Sequence, residues 1–266
     1  IFYGCSSFIG SGLQNWNTSG VTSLNQAFRN CTNLNGTYIQ NWNTSKNTSL
    51  NHTFDSCYNM SGVNLTNWMN TGMGAIWYCF VGTYMPNSVI SGWTIPSGCL
   101  STNLFQGANL SGCYFPDWVW SSGNTAYAMF GNPAANITNL SGLETWDTRG
   151  FTDMTQMFYG VQTHRNLGSG YSNWNTSNVT NMQQVFAIAG NSFNAPLSGW
   201  NVSKVTNFSS MFGIATAFNQ DLSNWNTSSA TNMQGMFGNS AFNNLGATGI
   251  NNWNVSNVTT MNSMFL

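Results

Sequence analysis

The chain has 266 residues, with 5 Lys+Arg against 6 Asp+Glu, 4% charged and 41% hydrophobic residues. A typical soluble domain carries about 25% charged residues. This balance leaves no electrostatic footprint for nucleic acid and no polybasic segment for anionic lipid. An aromatic content of 15% excludes a disordered polar chain. No apolar run reaches the roughly 18 residues of a membrane span, and Ile1–Cys5 does not read as a signal peptide. Asn (42), Ser (31) and Thr (28) stand where charge would be expected. An uncharged polar surface is short of colloidal repulsion, which points to covalent masking or to assembly.

Three columns of residues recur along the chain. The first is Trp16, Trp42, Trp68, Trp93, Trp118, Trp146, Trp174, Trp200, Trp225 and Trp253. Twelve residues after each stands Phe28, Phe54, Phe80, Phe105, Phe130, Phe158, Phe186, Phe212, Phe237 or Phe265. Three residues before each Trp is an apolar side chain, from Leu13 and Ile39 to Leu222 and Ile250. The period is 25–28 residues, and the segment between Phe and the next Trp absorbs the variation. Such self-similarity is the mark of stacked repeats. In the best-preserved copies, residues 222–237 and 250–265, Leu-x-x-Trp-x-(Thr/Val) predicts a short strand. Val-Thr-x-Met-x-x-Met-Phe predicts one helical or 3-10 turn. One such unit cannot bury its own apolar face, whereas stacked units can. The expected architecture is one array of ten repeats over residues 1–266, with degenerate repeats at 69–130 where the Val-Thr pair is lost.

Residues 21–34, Val-Thr-Ser-Leu-Asn-Gln-Ala-Phe-Arg-Asn-Cys-Thr-Asn-Leu, resemble the Val-Thr-x-Ile-x-x-x-Ala-Phe-x-x-Cys-x-x-Leu pattern of BspA-like leucine-rich repeats. Residues 205–212 and 217–225 are similar to the Met-Phe/Trp variant of that family. The resemblance implies a leucine-rich-repeat-like, right-handed solenoid, with one short parallel β-strand and one short helical or 3-10 turn per repeat. It also implies a secreted or cell-surface protein of the adhesin type. The variant commonly has Asp after Trp. Here only Asp147 keeps it, and Asn17, Asn43, Asn175, Asn201, Asn226 and Asn254 replace it.

Each of those six substitutions creates the N-glycosylation acceptor Asn-x-Ser/Thr. The same pattern occurs at Asn30, Asn35, Asn47, Asn51, Asn59, Asn64, Asn109, Asn136, Asn139, Asn178, Asn207 and Asn257, giving 18 candidates in all. A residue following an inward Trp on a strand points outward, so the six column sites are expected on one outer face. The competing reading is a ladder of Asn side chains bonding the backbone, multiplied by duplication of the repeat. The near absence of charge favours glycans.

The six cysteines, Cys5, Cys31, Cys57, Cys79, Cys99 and Cys113, all lie in the first half of the chain. Their even number suits disulfides in an extracellular setting, with Cys5–Cys31, Cys57–Cys79 and Cys99–Cys113 as the expected pairing. The alternative is a buried ladder of thiols. No Cys-x-x-Cys pair suggests zinc, and no cofactor or metal is expected. His52 and His164 stand about four repeats apart. The group Glu144, Asp147, Arg149 and Asp153 reads as a solvated, salt-linked patch rather than a catalytic pair.

No active site is legible, and the expected protein is a non-catalytic, extracellular, heavily N-glycosylated structural protein. Neither end carries a polar capping repeat. That suggests either an excerpt of a longer array or a head-to-tail fibre, so the expected partners are copies of the chain itself, covalent glycans and cell-surface ligands, with no nucleic acid. Two other readings stand beside this one. An adhesin would use the strand face. An ice-binding protein would use the ladder Thr22, Thr48, Thr152, Thr180, Thr206, Thr231 and Thr259, which breaks at Gly74, Cys99 and Asn124.

Overall fold

The computed structural model describes the chain except residues 133–134, 139, 162–169, 192 and 247–248 and the side chains of residues 245 and 249. Within it, each repeat lies beside the next in parallel register. The bridged pairs are 25–28 residues apart and all parallel, as in the run Asp153–Asn181–Asn207–Asn232–Thr260. One hydrophobic core extends from Leu13 to Met264.

Three files of rings build that core. Phe2, Phe28 and the column phenylalanines to Phe265 form an unbroken file, with successive centroids 5.1–5.9 Å apart and planes within 16°. The tryptophans form a second, with Trp93, Trp118 and Trp146 stacked at 5.0 Å. Phe193, Phe218 and Phe242 make a short third file, and each lies 3.9 Å from the column Phe of its own repeat. Stacked rings add about 0.5–1.5 kcal/mol per pair to the burial of their area.

The tryptophans also hold the repeats in register. From Trp42 to Trp253 the indole N–H of each column Trp donates to a carbonyl of the preceding repeat at 2.6–3.3 Å, whereas that of the buried Trp120, outside the column, has no partner. Eight of the nine acceptors belong to the apolar column three residues before the preceding Trp, and Trp68 uses the neighbouring Gln40 instead. A buried indole N–H needs a partner, and this one finds it only in the adjacent repeat.

The local structure differs from the sequence expectation at both halves of the repeat. The segment before Trp is a 3-10 turn at Leu13–Asn15 and Leu143–Thr145, not a strand. Among the described residues a strand after a column Trp occurs only at Thr94–Ile95 and Val119–Trp120, inside the region 69–130 that is degenerate in sequence. The Val-Thr-x-Met-x-x-Met-Phe segment is not helical either. In the first repeat the N–H groups of Leu24, Gln26, Phe28 and Asn30 donate to carbonyls of the next repeat. Those of Ala27, Arg29 and Cys31 donate three residues back. The result is a run of overlapping β-turns. A left-handed residue two positions before each column Phe interrupts the helix, including Gln26, His52, Tyr78, Gln184 and Ser210. That conformation is what the third position of a type II turn requires. Apolar spacing alone cannot distinguish this ribbon from a helical turn, because both put every third or fourth side chain inward.

One glycine is fixed by close approach. A Cβ on Gly150 would lie 2.0 Å from the Trp120 carbonyl oxygen. Trp120 itself is buried against Trp118 and Trp146.

The expected disulfides are not formed, and all six cysteines are thiols. The thiols have other partners. Cys31 donates to the Phe2 carbonyl and Cys57 to the Phe28 carbonyl. Thr83 occupies the same place in the next repeat and donates to the Phe54 carbonyl. The thiol therefore acts as a hydroxyl, strapping one repeat to the one before. Cys113 reaches the Met85 carbonyl, a different column from that of Cys57. Burial raises the pKa of Cys99 and Cys113 to about 12, and that of Cys79 well above its ordinary value.

Two outcomes follow from this packing. Trp118→Phe should cost about 1–3 kcal/mol, because the Ile90 carbonyl loses its buried donor. Trp118→Ala should cost about 3–5 kcal/mol, because it also opens a cavity; denaturant midpoints compare the two. Thiol titration at pH 8 should modify Cys5 alone in the folded protein and all six cysteines in denaturant. Fewer than six in denaturant would restore the disulfide reading.

Candidate functional site: an outward row of asparagines

Trp42, Trp174, Trp200 and Trp225 are buried, with Trp16 of the first repeat exposed and Trp253 of the last half-buried, and Asn17, Asn43, Asn175, Asn201, Asn226 and Asn254, which follow these tryptophans, are exposed. Each Asn Oδ1 accepts the backbone N–H two residues on, from Ser19, Ser45, Ser177, Ser203, Ser228 and Ser256, at 3.0–3.1 Å. This is an Asx turn. The next residue returns inward at Thr18, Thr44, Thr176, Val202 and Thr227, as does Thr148 after Asp147, whereas Val255 in the last repeat is exposed. Thr18, Thr148, Thr176 and Thr227 donate their hydroxyls to the carbonyl of the Asn one repeat on, at 2.9–3.2 Å. The Asn thus turns the chain, a Thr after it straps the repeats, and the Ser donates the turn's hydrogen bond.

Asp147 shows what the fold requires of this column. Its Oδ1 accepts the Arg149 N–H at 3.2 Å, forming the same turn. The turn needs a side-chain oxygen and makes no use of an amide nitrogen. No hydrogen bond is formed by Nδ2 of the six column asparagines among the described residues.

The other twelve acceptor asparagines sit in less uniform places. Asn47 is fully buried, which removes it as a site for a large substituent. Asn59, Asn178 and Asn257 are exposed, but their Nδ2 donates to the carbonyls of Asn33, Arg149 and Ser228. Asn207 donates to Gln183, and its Oδ1 closes a second Asx turn with Ser209. Asn64 is exposed and accepts the Thr66 N–H, and Asn136 is exposed beside Asn109. Asn30, Asn35, Asn51 and Asn109 are half-buried. Asn139 lies outside the described residues. The expected single outer face therefore holds for the Trp-following column and not for the whole set.

The charged groups do not converge. Arg149 forms a two-pronged ion pair with Asp147, which holds that carboxylate below the usual range. Glu144 caps Gly142 and Asp153 caps Thr155. His164 lies outside the described residues. Sequence reading missed one cluster. Asp55 is approached by Arg29 Nε at 2.9 Å and by His52 Nδ1 at 3.0 Å, and it accepts the Ser56 hydroxyl. His52 stacks on Tyr78 at 4.9 Å. Arg29 and Asp55, like His52 and Tyr78, are 26 residues apart in sequence, one period, and the period was the available signal. Among the described residues no group of three or more His, Cys, Asp or Glu is placed to hold a metal ion. No helix among them is long and apolar enough to cross a membrane.

The Trp and Phe columns run through nearly the entire chain, and a family model matches over the same extent, at residues 1–118, 124–248 and 241–266. The chain belongs to the family described as Mycoplasma protein of unknown function, DUF285. No curated protein and no solved structure matches it.

If the Asx turn is the structural role of this column, Asn201→Ala should cost about 1 kcal/mol, as loss of a comparable cap does. Asn201→Asp should cost a few tenths at most, following Asp147. Equal destabilisation by the two would mean that the amide nitrogen is used by the fold after all.

Proposed function

We propose that this chain is a non-catalytic extracellular structural protein, a solenoid of the BspA-like leucine-rich-repeat kind that carries N-glycans along its outer asparagine row and builds a fibre or surface array. The observation that carries this reading is the equivalence of Asp147 with the six column asparagines. A carboxylate makes the same turn, yet six positions have an amide followed two residues later by Ser. The amide nitrogens face solvent and are unspent, which is what attachment of a glycan needs. Glycans would also supply the solvation that a surface with 4% charged residues lacks.

Neighbouring repeats are only 5–6 Å apart along the ring files. Large substituents on Asn175, Asn201, Asn226 and Asn254 would crowd one another, so partial and alternating occupancy is expected. Protein secreted from a glycosylating host should have a mass above 29.1 kDa that returns to it on enzymatic release. Release by an amidase in heavy-oxygen water should mark Asn43, Asn175 and Asn226 as Asp and leave Asn47 unmarked. An unaltered mass near 29.1 kDa, or marking confined to residues outside the column, refutes the reading.

A further inference from the structure

We infer that the surface strip beside the phenylalanine file forms, across repeats seven to nine, a binding groove for a neutral oligosaccharide. The strip consists of the residues two before, one after and two after each column Phe. In the first repeats it is filled. Arg29 and Asp55, one after Phe, form an ion pair, and His52 and Tyr78, two before Phe, stack on each other. Further along the chain the same positions shrink to Ala187, Gly213 and Gly238, and to Ser210 and Gly235. The strip opens there into a cavity of about 320 Å³, with Tyr159 at one end and Leu266 at the other. Small-ligand sites begin at roughly this size.

The position two after Phe is left-handed throughout this part of the chain. Gly4, Asn30, Ser56, Gly82, Gly107 and Gly160 occupy it outside the groove, and Asn239 occupies it in the ninth repeat. Only the groove repeats place β-branched residues there, Ile188 and Ile214, both at φ 59°. Such residues are strained in that region, and Ile214 is exposed, so core packing does not account for it. Backbone strain of this kind concentrates where a ligand is held.

The chemistry of the lining selects the ligand class. Among the described residues no charged side chain borders the cavity, so an ionic ligand finds no counter-charge among them. An added peptide strand finds no free edge. The N–H groups of Gln184, Ile188, Ser210, Ile214 and Gly235 already donate to carbonyls of the next repeat. What remains is a set of amide and hydroxyl side chains, including Gln184, Ser210, Gln234 and Asn239, beside the apolar faces of Ile188, Ile214 and Tyr159. That combination matches the hydroxyl rim and C–H face of a pyranose. The groove advances in steps of 5.4–5.9 Å, close to the advance of one residue in an extended β-linked sugar chain.

The test uses the full chain made without N-glycans, so that it is independent of the proposed glycosylation. Calorimetric titration with cellohexaose, chitohexaose and mannohexaose should show binding by at least one. Gln234→Ala and Gly213→Leu should each weaken it at least tenfold. A Cβ on Gly213 meets nothing closer than 3.4 Å, so the larger side chain has room to fill the groove. Ile214→Asn should weaken binding while raising the thermal midpoint, a combination that a merely structural residue would not give. Should Gly213→Leu fail to fold, the exposed Gln234→Ala decides. No binding by any of the three sugars at millimolar concentration overturns the inference. So does affinity that survives both groove variants, or binding of peptides or charged glycans alone.

Discussion

Every feature of this fold depends on bonds that a repeat cannot make alone. The indole N–H of each column Trp from 42 to 253 has its acceptor in the preceding repeat. The hydroxyls of Thr18, Thr148, Thr176 and Thr227 have theirs in the following one. A backbone bridge joins parallel neighbours in both directions. A stack slipped out of register would leave these groups buried and unpaired, at a cost of about 1–3 kcal/mol for each. The ring files supply most of the area removed from water, and the directional bonds fix which residue faces which. Hydrophobic burial alone would tolerate a slip along the stack. An indole that must meet one carbonyl does not.

The same constraint explains the chemistry of the cysteines and of the asparagine row. Position for position, Cys31, Cys57 and Thr83 make one kind of strap. The strap requires a small side chain with a donor, and the choice between sulfur and oxygen is secondary. Likewise Asn and Asp both satisfy the turn after Trp, because an oxygen acceptor is all that it needs. Where structure leaves a choice open and the sequence still favours one residue, the excess asks for a cause outside the fold. The unspent amides and the strained Ile188 and Ile214 are the two places where that excess is visible. They lie on different parts of each repeat, so the two proposals built on them stand or fall separately.

The central repeats show how much sequence change the arrangement absorbs. The Val-Thr pair is lost between residues 69 and 130, yet parallel bridging is richest there. It includes Asn64–Val89–Tyr114–Ser141, Tyr84–Asn109–Asn136 and Thr94–Val119–Asp147. Replacing the Asx turn by Thr94–Ile95 and Val119–Trp120 lets the backbone run straight and pair with its neighbour. Degeneracy in the motif is therefore a change of local conformation at constant period.

The sequence by itself determined the period, the inward columns and the outward asparagines, because a fixed spacing of large apolar residues is a one-dimensional property. It did not determine where strands and turns fall. Trp-x-Thr alternates inward and outward both in a strand and in an Asx turn, and Met-x-x-Met-Phe points inward both in a helix and in overlapping β-turns. Which occurs depends on where each N–H finds its acceptor, and that acceptor lies some 25 residues away. For the same reason only the tertiary structure decided that the thiols bond carbonyls, that Asn47 is buried, and that Arg29, His52 and Asp55 meet. The groove, too, is made by what three successive repeats lack, and a missing side chain has meaning only once its neighbours are in place.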